Sequence, residues 1–199
     1  MIVYCATSNK GKLREFQLAA PDFDVRPLPH PAPPPEETGA TFEENAVAKA
    51  EYYGGFVDGY LFADDSGLEV DALGGAPGVH SARYAGEHAT DADNNALLLE
   101  RLSGATDRSA RFVCVIALVC GPKLVRTFRG SVEGRILNEA RGSEGFGYDP
   151  LFFHEPFGCT FGEASIADKM KVSHRAQALE AMFTFLRGSV ASAGTRSAS

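Results

Sequence analysis

The run Ala110–Cys120, ARFVCVIALVC, constrains the fold most. It is long, β-branched and almost free of charge, which suits a strand buried on both faces at the centre of a sheet. The GPK turn after it leads into LVRTFRGSVEG, a second extended stretch, so the pair reads as a hairpin. A hairpin at the sheet centre rules out a purely parallel, doubly wound arrangement. The remaining pattern supplies helices: KLREFQLAA carries Leu13 and Phe16 at helical spacing after the strand-like IVYCA. Thr41 opens TFEENAVAKAEYYGGF with Glu44 at capping-box spacing and a Gly-Gly stop, Thr90 or Asp91 caps NNALLLERL, and Ser173 caps HRAQALEAMFTFL. The expectation is an α/β fold with a mixed sheet flanked by helices. It should form one domain over residues 1–188, with residues 189–199 as a frayed tail.

Composition narrows function. The 199 residues are 44% hydrophobic, enough to fill one ordinary core. With 19 Lys and Arg against 26 Asp and Glu, a net charge of -7 leaves no basic surface for gripping a nucleic-acid backbone. No stretch approaches a membrane span, and MIVYCATSNK lacks the pattern of a signal peptide, so a cytoplasmic location is expected. Cys5, Cys114, Cys120 and Cys159 form no CxxC pair, and the five histidines are scattered; neither a zinc site nor a disulfide framework follows.

Six polar islands interrupt these elements: TSNKGK, EETG with TFEENAVAKA, DDSG, LGGAPGVHSARYAG, GFGYDP and DKMKVSHRAQAL. The first lies between a strand and a helix, where free backbone N–H groups and the helix dipole favour an anion. On the helix opened by Thr41, Asn45 and Lys49 share a face, opposite Ala46, Ala50 and Tyr53. In LFADDSGLEV, Asp64 and Asp65 read as the end of a strand before a Ser-Gly turn, with the pleat pointing them apart. Two adjacent carboxylates there call for a cation between or beside them, unless one Asp closes the turn through an Asx-type bond while the other faces water. The glycine-rich DALGGAPGVHSARYAG reads as an irregular connection.

In this order the islands resemble the inosine triphosphate pyrophosphatase family, from Ala6 to about Leu179. The resemblance implies a homodimeric, Mg²⁺-dependent enzyme that cleaves ITP, dITP and XTP to the monophosphate and pyrophosphate. It also implies an elongated, bent mixed sheet of two lobes around a central cleft, similar to the Maf proteins. Carried over by motif, Thr7, Ser8, Asn9, Lys10, Gly11 and Lys12 hold the triphosphate, with Lys49 reaching it from the next helix. Glu37 and Asp65 are the implied metal ligands, Asp65 also the proton acceptor, and Ser66 a substrate contact. Phe146, Gly147, Tyr148 and Asp149 form the implied base loop, Phe146 stacking on the purine, and Lys169, His174 and Arg175 the last substrate group. Spacing alone leaves the division of work between Asp64 and Asp65 open. Competing readings are a Maf-like enzyme for modified pyrimidine nucleotides and a nucleotide sensor without turnover. The chain departs from the family pattern at Met170, in GEASIAD and in the proline-dense PLPHPAPPPEETG.

Overall fold

The structure, a computed structural model, describes residues 1–7, 9–19 and 22–196. Its elements in chain order are β1 Ile2–Cys5, α1 Lys10–Ala19, β2 Asp24–Pro27, α2 Phe42–Gly54, β3 Tyr60–Val70, α3 Asp91–Arg101, β4 Ser109–Cys120, β5 Lys123–Ile136, β6 Phe152–His154, β7 Cys159–Thr160, α4 Ile166–Lys169 and α5 His174–Arg196. Seven strands form one sheet in the order β2-β1-β3-β4-β5-β6-β7. The three strands at the β2 edge run parallel and the rest antiparallel, so the sheet is mixed as expected. The apolar run takes the centre as β4, paired along its whole length with β3 and β5.

The faces follow from the pleat of β3 and β4. Leu61, Ala63, Val113, Val115, Ala117 and Val119 pack against Phe42, Ala46 and Ala50 of α2. The alternate residues Phe62, Cys114, Ile116 and Leu118 pack against Phe16 of α1 and Leu179, Met182 and Phe183 of α5. A third cluster joins Leu68, Val70, Phe112, Val132 and Ile136 to Leu98 of α3, to Leu102 just past its end, and to Phe152 and Phe161. Thr41 and Thr90 each complete a capping box, with Glu44 and Asp93, and the Ser173 hydroxyl accepts from Ala176 N–H at the start of α5. That last helix runs on to Arg196, beyond the stretch in which its apolar spacing is visible.

Two local readings change. Ser66 and Gly67 make no turn: β3 continues through them, with Ser66 opposite Cys114 and Gly67 opposite Val113. Asp64 and Asp65 therefore sit mid-strand rather than at a strand's end. The connection Asp71–Arg83 is also more regular than expected, with 3-10 turns at Asp71–Leu73 and Gly78–Arg83.

Candidate active site

The β1 ladder reaches β3 only at Leu61 and Phe62, and Ala6 N–H adds one bond to Phe62 O at 2.9 Å. Past that point the edge of β3 borders a cleft. Its inner part, a cavity of about 220 Å³, is lined by Asn9, Lys12, Glu37, Lys49, Asp65 and Ser66 on one side and by Phe146, Gly147, Tyr148, Asp149, Lys169, His174 and Arg175 on the other. A more open cavity of about 510 Å³ shares Asn9, Lys12, Glu37 and Lys49 with it and adds Thr7, Asp64 and the proline-dense loop at Pro31, Pro34 and Pro35. Most of the side chains singled out in the sequence therefore meet around one cleft. Lys10 is exposed and lines neither cavity, and Ser8 lies outside the described residues.

Asn9 caps α1: its Oδ1 accepts from Lys12 N–H at 3.0 Å. Thr7 Oγ1 accepts from Asn9 N–H at 3.2 Å. Gly11 follows because the Phe146 ring crosses here; a Cβ would stand 2.8 Å from Phe146 Cδ1. The loop, the start of α1 and the aromatic ring are thus in direct contact.

The pleat separates the two aspartates as expected. Asp64 turns toward α1 and α5, where Lys12 Nζ lies at 2.8 Å and Arg175 Nε at 3.7 Å, and Ser66 Oγ donates to it at 2.5 Å. Burial would raise its pKa, yet the charges of Lys12, Arg175 and Lys49 hold it below the usual carboxylate range. Asp65 turns toward α2. Lys49 Nζ donates to its Oδ1 at 3.1 Å and Asn45 Nδ2 to its Oδ2 at 3.2 Å. Here burial prevails, with repulsion from Glu37 adding to it, and the pKa of Asp65 rises despite Lys49. The face that Asn45 and Lys49 share is no solvated surface; Asn45 is 2% exposed.

Glu37 reaches the same lysine from the loop before α2, Lys49 Nζ donating to its Oε1 at 2.8 Å. Arg83 Nη1 donates to Glu37 Oε2 at 3.3 Å. Although burial opposes it, Lys49 and Arg83 keep the Glu37 carboxyl below its ordinary value. Asn45 also secures this loop, its Oδ1 accepting from Gly39 N–H at 2.8 Å. Two carboxylates from distant segments thereby converge on one cation. Among the described residues no three His, Cys, Asp or Glu side chains are grouped as a metal site. A hard-oxygen pair facing a cleft nonetheless has the chemistry Mg²⁺ prefers, a few carboxylates with waters and phosphate oxygens, so the donor set fits that ion.

The opposite wall is a buried ion cluster. Lys169 Nζ donates to Asp149 Oδ2 at 2.6 Å and lies 3.1 Å from Glu15 Oε1, while Arg175 Nη1 donates to Glu15 Oε2. Arg175 Nη2 donates to Ser66 Oγ at 3.2 Å. His174 stacks on Phe112, centroids 4.9 Å apart. Burial, and then the charges of Arg175 and Lys169, push its pKa well below the ordinary value, so the ring is neutral. Among the described residues, His174 Nδ1 and Arg175 Nε are buried without a hydrogen-bond partner, Arg175 Nε still facing Asp64 at 3.7 Å. The Phe146 ring faces this group, 4.9 Å from Lys169 Nζ and 5.5 Å from Arg175 Cζ. Asp149 Oδ2 also accepts from Phe146 N–H at 3.0 Å, so it orders the loop from within. The solvated helix start that His174 and Arg175 could have formed is not what the chain builds.

Glu15, Arg83 and Asn94 escaped the sequence reading. Arg83 and Asn94 carried a weak signal, the SARYAG island and the NN pair before an apolar run. Glu15 carried none, since its partners lie about 150 residues away.

A cleft with cationic side chains at a helix start, two converging carboxylates and an aromatic ring beside buried cations has the parts that a nucleotide-handling hydrolase needs. The chain belongs to the Ham1 family, whose model matches residues 3–185. It is 54% identical over 184 residues to the dITP/XTP pyrophosphatase of Syntrophobacter fumaroxidans, covering 89% of this chain and 78% of that protein. It is 48% identical over 190 residues to the dITP/XTP pyrophosphatase of Bacillus licheniformis, covering 92% and 97%. The structure of the Staphylococcus aureus Ham1 protein superposes with a TM-score of 0.86 at 41% identity, over 95% of this chain and all of that one. The Coxiella burnetii HAM1 structure gives the same TM-score at 42% identity, over 94% of this chain and 99% of that one. The family relation and the mixed-sheet fold expected from the sequence are both borne out.

Proposed function

We propose that this chain hydrolyses non-canonical purine nucleoside triphosphates, dITP, ITP and XTP, to the monophosphate and pyrophosphate with Mg²⁺. The observation that carries the reading is the convergence of Asp65, Glu37 and Lys49 beside Asn9 and Lys12, in one cavity with Phe146, His174 and Arg175. The dITP/XTP pyrophosphatase relatives support it.

Cleavage between the α and β phosphates is an in-line displacement that depends on positioning, charge neutralisation and an activated water. Lys12, Lys49 and the free N–H groups at the start of α1 bind the triphosphate. Glu37 and Asp65 would hold Mg²⁺, which when bound supplies further charge neutralisation. Asp65 accepts the proton of the attacking water at its carboxylate, because it faces Lys49 and Glu37 across the cleft while Asp64 is already engaged by Lys12, Ser66 and Arg175. Phe146 stacks on the base. His174 and Arg175, which line the cavity, suit a ligand carbonyl such as O6 of hypoxanthine or xanthine. Adenine brings an amino donor to that place and leaves them unpaired, which a buried site penalises.

A homodimer and a cytoplasmic location are part of the same proposal. Among the described residues no helix is long and apolar enough to cross a membrane, and sedimentation of the purified chain measures the dimer. The decisive experiment is a nucleotide panel assayed for pyrophosphate release with and without Mg²⁺. The expected result is Mg²⁺-dependent release from dITP, ITP and XTP, with little from ATP or GTP. No release, or equal cleavage of all purines, overturns the reading, and ITP binding without turnover replaces it with a sensor.

A further inference from the structure

The loop that carries the Phe146 ring is also held by α3, whose Asp91 and Asn94 line the inner cavity but take no part in the reaction above. Gly147 N–H donates to Asp91 Oδ2 at 2.7 Å, and Gly147 C=O accepts from Asn95 Nδ2 at 3.0 Å. Asp91 and Asn95 stand four residues apart, one helical turn, so both side chains rise from one face of the helix. Together they clasp the donor and the acceptor of a single loop residue. Among the described residues, Asn95 Oδ1 is buried without a hydrogen-bond partner. Turning that amide over would set oxygen against the Gly147 oxygen, so only the donor orientation satisfies the loop.

The helix making this clasp is itself fixed. Its N-terminus closes in the Thr90–Asp93 capping box, and Leu98 and Leu102, just past its end, are fully buried. Asn94 ties it to the 3-10 turn Gly78–Arg83 and the residues just after it, its Oδ1 accepting from Ala85 N–H at 2.8 Å and its Nδ2 donating to Ala82 O at 3.2 Å. The residues flanking Gly147 have other anchors: Phe146 N–H to Asp149, and Tyr148 OH to Ser81 O at 2.8 Å. Without α3, the loop would be secured on both sides of Gly147 but free at Gly147 itself, directly beside the stacking ring.

We propose that Asp91 and Asn95 are positioning residues that determine base affinity and selectivity: their clasp on Gly147 fixes the loop that presents the Phe146 ring to the base, beside Lys169 and Arg175. The inference rests on the triphosphate pyrophosphatase reading. A ring already in place binds without an ordering cost, whereas a loosened loop must be ordered by the substrate. Asp65, Glu37 and Lys49 are held by groups other than α3. Loss of the clasp therefore acts on KM and leaves kcat nearly untouched.

The test compares Asp91→Ala, Asn95→Ala and Asp91→Asn by steady-state kinetics on dITP and dGTP. Hydrogen–deuterium exchange over residues 145–149 of the ligand-free protein accompanies it. Each alanine variant is expected to raise KM for dITP about tenfold, the scale of one lost hydrogen bond plus the freed loop. The preference for dITP over dGTP should fall, and exchange should quicken at 145–149 but not in β3 and β4. Asp91→Asn keeps an oxygen acceptor and should stay near wild type. Unchanged KM and exchange in the alanine variants, a loss confined to kcat, or an Asp91→Asn variant as impaired as Asp91→Ala overturns the proposal. Should wild type release no pyrophosphate from dITP, the activity reading fails, and the exchange experiment alone still decides whether the clasp exists.

Discussion

Replacing Glu15 by Gln tests the buried ion cluster most directly. Glu15 is 2% exposed and serves two cations, Lys169 Nζ at 3.1 Å and the Arg175 guanidinium. Removing one partner of a buried pair costs about 3–5 kcal/mol, because the remaining charge stays desolvated. Gln keeps the shape and one acceptor. Lys169 also retains Asp149 at 2.6 Å, and Arg175 retains Asp64 and Ser66, so the lower end applies. A loss of about 3 kcal/mol corresponds to a fall in Tm of roughly 6–12 °C for a chain of this size. The assay is urea unfolding at neutral pH and in acid. Although burial opposes it, the charges of Arg175 and Lys169 hold the folded-state pKa of Glu15 below its ordinary 4.5. The ionised carboxylate therefore contributes stability above the ordinary value and loses it as pH falls through the folded one. The gap between wild type and Glu15→Gln should accordingly narrow as the pH drops below 4.5. In an Arg175→Met background the cost of Glu15→Gln should shrink, which isolates the pair. A cost below about 0.5 kcal/mol, the range of ordinary surface changes, would refute the reasoning. So would a cost that persists unchanged into acid.

Two further perturbations probe the other wall. Asp65→Asn should retain nucleotide affinity while turnover falls by roughly 10²–10⁴, the usual worth of a placed general base; near-normal pyrophosphate release would remove Asp65 from the reaction. Gly39→Ala would bring a Cβ to 2.6 Å from Asn45 Oδ1 and 2.8 Å from Glu44 Cβ, displacing the loop that presents Glu37. The apparent affinity for Mg²⁺, followed by isothermal titration in the presence of a non-hydrolysable triphosphate, should weaken several-fold, and an unchanged affinity would show that the Asn45–Gly39 bond does not position Glu37.

What could be read from the sequence was whatever depends on local pattern. The centre of the sheet was visible in the uninterrupted apolar run of β4, and its hairpin partner in the GPK turn. Helix starts were visible because capping chemistry needs only four consecutive residues, as at Thr41 and Thr90. The course of β3 was not. Ser66 and Gly67 are turn residues by propensity, yet cross-strand pairing with Cys114 and Val113 carries the strand straight through them. Gly67 serves instead to admit a neighbouring segment, since a Cβ there would meet Ser81 Oγ at 2.4 Å and Gly78 O at 2.5 Å. The site was legible where residues touch ligand by motif, and illegible where its members are defined by each other. Glu15, on a helix face that also buries Phe16, acquires meaning only when α5 brings Arg175 against it.

The same distinction resolves Asp64 and Asp65. Adjacent in sequence, they would repel if both faced one dry pocket, but the pleat of β3 gives each its own side of the sheet and its own cation, Lys12 for Asp64 and Lys49 for Asp65. Their environments then drive the two carboxyls in opposite directions. Asp64, nearly sealed and ringed by Lys12 and Arg175, stays ionised and joins the start of α1 to the start of α5. Asp65, beside another carboxylate, is the more basic of the two and the one that meets Glu37 through Lys49. Paired groups pushed apart in this way take different roles, one fixed in its charge and one available to a proton. Because Lys12 is shared between Asp64 and the cleft, an incoming triphosphate does not find a free cation. Under the proposed function it would enter a preformed ion pair, and the aspartate left out of the proposed chemistry would still set where that lysine stands.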